Sequence, residues 1–169
     1  IKWMESLAAP VLIVAGLALL VWAFARAGGV GPVLAQPSNF PEGTTFWTVF
    51  FPGLTANIGF WATLSLNIPD FTRYAKSQRD QVVGQAIGLP PTMALFAFIG
   101  VAVTAATPLI FGTTIYNPVT VMAKIGNPLM TVVALFALSL ATLSTNIAAN
   151  VVSPANDFSN LKPSVISYK

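Results

Sequence analysis

Residues 7–25 read LAAPVLIVAGLALLVWAFA, nineteen positions without a charge. About 20 apolar residues cross the hydrocarbon core of a bilayer as a helix. Inside lipid the backbone must satisfy its own polar groups, so such a run folds as a helix or not at all. Three more runs of this kind follow. Over the 169 residues, 55% are hydrophobic and 8% charged, against about 25% charged in a soluble domain. The chain is therefore read as an all-α integral membrane protein.

Composition excludes several chemistries. Cys and His are both absent, which removes disulfides, thiolate nucleophiles and imidazole bases or metal ligands. The net charge of +3 rests on sparse residues at segment ends, a pattern unsuited to nucleic acid. The chain opens on Ile1 and ends on Lys169 just after an apolar segment. It is expected to be a stretch of a longer membrane protein, with the remainder as its partner along with the lipid bilayer.

Four spans are expected, at about 7–26, 46–68, 86–107 and 127–150. The second carries Pro52, Gly53 and Gly59, and a break is expected near Asn57, Ile58 and Gly59. The third is entered through GLPP at 88–91, where a kinked start is expected because residues before proline avoid the α region. Residues 117–125, NPVTVMAKI, are too short to span; Asn117 and Pro118 suit the cap and first position of a short helix. Residues 28–45 and about 70–85 are read as loops. Lys2, Arg73, Lys76, Arg79, Lys162 and Lys169 fall on one side of the four spans, and Arg26 and Lys124 on the other. Basic residues concentrate in the cytoplasm, so the first span is expected to run outward.

The fourth span carries ATLSTNIAAN at 141–150. Ala141, Ser144 and Thr145 stand at i, i+3 and i+4, so they share one helix face. Hydroxyls with nearby carbonyls and no carboxylate suit a weakly held monovalent cation; the plainer alternative is back-bonding or interhelical glue. Asn146 and Asn150 are four apart on another face. A buried amide offers two donors and an acceptor, matched to a planar ligand with N–H and C=O groups, or to a neighbouring helix. Phe60 and Trp61, beside Gly59, would offer aromatic faces to a flat heterocycle.

ANIGFWATLSLNIPDFTRYAKSQRDQVVGQAIGLP (56–90), YNPV (116–119) and ATLSTNIAANVVSPANDFSNL (141–161) resemble the nucleobase:cation symporter family, the first of the two so named, with its uracil, cytosine, allantoin and hydantoin permeases. The resemblance implies twelve membrane helices on the inverted-repeat fold of the bacterial leucine transporter, of which this chain looks like the fifth to eighth. The 117–125 helix matches the family's outer re-entrant segment. A sodium ion is implied at the Ala141 carbonyl and the Ser144 and Thr145 side chains, with protons as the other coupling ion in the family. Trp61 matches a tryptophan that sandwiches the substrate, and Asn150 an asparagine that hydrogen-bonds it. Phe60 stands where the hydantoin transporter has Gly. A ring there reshapes the pocket and is compatible with a uracil- or allantoin-type permease.

The expected function is cation-coupled import of a nucleobase or related heterocycle across a bacterial inner membrane, without catalysis. A channel or structural subunit whose polar residues only pack is the rival. An intramembrane hydrolase is weaker, since Ser144 has no His or Lys in the spans to activate it.

Overall fold

The computed structural model describes residues 2–37 and 40–167, with side chains for 7–37, 40–62 and 67–167. Lys169 and the Lys2 side chain, counted above among the cytoplasmic basic groups, lie outside that description. The described residues are helical, without a strand. In order they form α1 (Lys2–Arg26), α2 (Val30–Leu34), α3 (Phe46–Thr72), α4 (Gln78–Phe111), α5 (Pro118–Ile125), α6 (Pro128–Ile147), a π-helical turn (Ala148–Val152) and α7 (Ser153–Leu161). Three stretches among the described residues are long and apolar enough to cross a membrane: Leu7–Arg26, Gln78–Phe111 and Pro128–Leu161. α3, at 27 residues, has the length of a fourth, about 40 Å at 1.5 Å per residue.

Helix ends follow local chemistry. α1 stops where Gly28 turns left-handed at φ 85°. The Gly29 N–H then reaches back to the Phe24 carbonyl at 2.8 Å, a Schellman closure that favours glycine. The Asn117 side chain accepts from the Val119 N–H at 2.9 Å, capping α5 as expected. α5 ends at Gly126, left-handed at φ 71°. Asn127 caps α6 by accepting from the N–H groups of Leu129 (3.0 Å) and Met130 (3.2 Å).

Several expectations are corrected. The break at 57–59 is absent, and α3 is helical from Phe46 to Thr72. Pro52, Gly53 and Gly59 suggested the break, but the polar side chains beside them bind the helix's own backbone. Thr55 Oγ1 donates to the Phe51 carbonyl and Asn57 Nδ2 to that of Gly53, each at 2.9 Å. A single glycine costs a helix only about 1 kcal/mol. α4 likewise passes through Pro90 and Pro91 rather than starting there. Thr92 Oγ1 reinforces that turn, lying 2.5 Å from the Gly88 carbonyl and 3.2 Å from that of Leu89.

The loop expected at 70–85 shrinks to residues 73–77. Ser77 Oγ accepts from the Asp80 N–H at 3.1 Å and so opens α4 early. The loop at 28–45 contains α2, whose Val33 is buried. The fourth helix does not end at 150; it continues through the π-helical turn to Leu161.

The chain divides into two compact units, residues 1–36 with 85–145 and residues 37–84 with 146–169. In the first, Leu20 and Ala23 of α1, Val33 of α2 and Ile99, Ala102, Val103 and Ala106 of α4 form one apolar core. Small residues permit close approach: a Cβ on Gly16 would meet Ile99 Cδ1 at 3.2 Å. In the second unit α3 packs against α7. Asp70, Ser153 and Asn156 are buried there, and Arg73 pairs with Asp70.

Candidate functional site

Ala141, Ser144 and Thr145 stand on α6 in the first unit. Ala141 and Ser144 are partly buried and Thr145 is exposed. Ala141 lines an apolar groove of about 510 Å³, whose walls include Gly16 and Leu19 of α1, Phe96 of α4, Met122 of α5 and Val133 of α6.

Hydroxyls in apolar helices commonly donate to a carbonyl three or four residues back. Thr142 does so to Leu138 at 2.8 Å, and Thr131 to Asn127 at 3.0 Å. Ser144 and Thr145 make no side-chain hydrogen bond to any described residue. Two adjacent hydroxyls one turn from Ala141 therefore keep their oxygens available. That donor set is hard, neutral and weak, which fits a monovalent cation better than a divalent one.

Gly59, Phe60, Trp61 and Asn150 belong to the second unit. Phe60 is 73% exposed and Trp61 partly buried. Their rings meet edge to face at 6.1 Å between centroids. Among the described residues nothing would lie within 4 Å of a Cβ on Gly59. Asn150 is exposed, and its Nδ2 donates to Asn146 Oδ1 at 2.6 Å. The two amides thus pair along one helix. The Asn150 carbonyl oxygen and one N–H remain to serve a ligand. No hydrogen bond joins Trp61 to Asn150 among the described residues.

Two features escaped the sequence reading. Asn150 lies within the π-helical turn, a geometry often found at functional positions. Ser153, immediately after it, is 0% exposed and its Oγ has no hydrogen-bond partner among the described residues. The dipeptide Ser153-Pro154 was the available signal, because a proline removes one backbone donor and crowds the preceding turn.

Helices of this length and apolarity, with uncharged polar groups concentrated on one of them, define a multi-pass membrane protein. The family described as permeases for cytosine/purines, uracil, thiamine and allantoin matches residues 1–169, and the chain belongs to that family. It is 52% identical to a purine-uracil permease of Arabidopsis thaliana over 99% of its own length and 28% of that protein's. It is 45% identical to an allantoin permease of Bacillus subtilis over 100% of its own length and 34% of that protein's. A uracil permease of Saccharomyces cerevisiae is 29% identical over 92% of this chain and 26% of the yeast protein. The chain thus spans between about a quarter and a third of the length of these relatives. No solved structure matches.

Proposed function

We propose that residues 1–169 serve in a secondary active transporter that carries a nucleobase or related small heterocycle, coupled to a cation. The observation that carries this reading is the permease match along the whole of residues 1–169. Among the compounds named for the relatives, uracil and allantoin carry rings bearing N–H and C=O groups, and purines are flat rings with N–H donors and ring-nitrogen acceptors. Trp61 would stack on such a ring, with Phe60 shaping the pocket beside Gly59. The Asn150 amide would answer the ring's donor and acceptor pair. Ser144, Thr145 and the Ala141 carbonyl would hold the coupling ion, sodium in preference to a proton because the group offers oxygens and no titratable side chain. The twelve-helix inverted repeat, the membrane span of α3 and a bacterial inner-membrane location belong to the same proposal.

Tryptophan-fluorescence titration of the complete permease tests it. Uracil, cytosine, allantoin and a hydantoin are titrated with and without sodium. One of them is expected to quench saturably, and sodium to tighten that binding. Ser144→Ala with Thr145→Ala should abolish the sodium effect. Sodium-independent binding would move the coupling to protons. Ligand passage that never saturates would favour a channel.

A further inference from the structure

The helix that carries Asn150 contains two irregularities in succession. Residues 148–152 form a π-helical turn, and Ser153 follows with a fully buried hydroxyl that has no hydrogen-bond partner among the described residues. They have one physical origin. In a regular α-helix the Ser153 hydroxyl would donate to the carbonyl of Ala149, four residues back. Thr55, Thr92 and Thr142 make that bond to Phe51, Gly88 and Leu138. Widening of the turn before Ser153 removes the same arrangement there. Pro154 acts in the opposite sense. It has no N–H, and in a tight turn its ring would press on the Asn150 carbonyl. The wide turn relieves that contact and leaves the hydroxyl unpaired; a tight turn would satisfy the hydroxyl and crowd the proline.

We propose that residues 148–154 are a two-state hinge in which Ser153 is a positioning residue for Asn150. In the state observed, Asn150 is exposed on the wide turn. In the second state the wide turn has migrated toward α6, and the Ser153 hydroxyl has gained the Ala149 carbonyl. A wide turn that moves along a helix rotates the residues it passes by about 100°, one residue's step, while the flanks stay in place. Asn150 is among those residues, so its amide is withdrawn from the substrate it would hold. The inference rests on the proposed role of Asn150 in binding and supplies that site with a means of release.

The test uses the complete permease with Ser153→Ala, Ser153→Thr and Asn150→Ala. Uracil or allantoin, whichever quenches tryptophan fluorescence, is the ligand for equilibrium binding and for exchange across proteoliposomes. Ser153→Ala removes an unpaired buried hydroxyl from the observed state and the bond that favours the other. It should hold or raise the melting temperature, leave the binding constant within about twofold and slow exchange about tenfold, the worth of one hydrogen bond. Ser153→Thr keeps the hydroxyl and should restore exchange. Unchanged exchange in Ser153→Ala overturns the hinge, as does a lower melting temperature or failure to fold. If Asn150→Ala weakens binding while Ser153→Ala exchanges normally, the hinge fails and the binding role stands. If Asn150→Ala binds normally, both fail.

Discussion

Thr107 shows what one hydroxyl does when it is fully engaged. It is 1% exposed. Its Oγ1 donates to the Thr104 carbonyl at 2.7 Å and accepts from the Ile115 N–H at 2.9 Å, tying the segment after α4 to the helix. Thr107→Val keeps the shape but leaves that buried N–H unsatisfied, at a cost of about 1–3 kcal/mol. Thermal melting in detergent should show the loss, and Thr107→Ser should recover most of it. Ser144 and Thr145 contrast with Thr107, because their hydroxyls make no hydrogen bond to any described residue. Removing them should cost ion coupling and little stability.

At the scale of elements, caps decide where α5 and α6 begin. Asn117 and Asn127 each meet N–H groups that a helix cannot satisfy from within. Asn117→Ala should destabilise α5 by about 1 kcal/mol. Hydrogen exchange should then quicken at Val119 to Val121, with α4 unaffected. α5 has only eight residues, so it cannot recover the loss along its length. Its Lys124 Nζ lies 5.6 Å from the centre of the Phe111 ring, a contact at the end of α4 that supports the short helix from outside.

For the molecule as a whole, exposed apolar surface is the main fact. The most apolar windows of the three candidate spans are only 17%, 28% and 6% buried within this chain. Such surface requires lipid or further helices around it. Basic residues then set the orientation. Lys76 and Lys162 are expected on the cytoplasmic side and Lys124 outside. Residues 1–169 have no cysteine, so each substitution adds the one thiol of this stretch, and labelling is compared with that of the unsubstituted permease. Lys76→Cys and Lys162→Cys should react with an impermeant maleimide only in inverted vesicles, and Lys124→Cys only in right-side-out ones. Lys76 and Lys124 labelled from the same face would refute that orientation.

The sequence alone determined the features that depend on composition and close neighbours. Lipid leaves a backbone no choice but to bond to itself, so uncharged runs specify helices. Asn-Pro at 117–118 and Gly-Gly at 28–29 specify a start and a stop through bonds spanning a few residues. The family resemblance was also legible, because it lies in residue order. What the tertiary structure decided were balances between small terms. Pro52 and Gly59 were read as a break, yet one lost bond and one weak residue do not end a helix of 27 residues whose Thr55 and Asn57 bind its own carbonyls. Pro90 and Pro91 were absorbed by α4 in the same way. The i, i+4 spacing of Asn146 and Asn150 was visible, but their pairing at 2.6 Å and the π-helical turn were not. That turn depends on where a proline ring, a buried hydroxyl and the α3 packing of the second unit can be accommodated together, and no local pattern of residues encodes their sum.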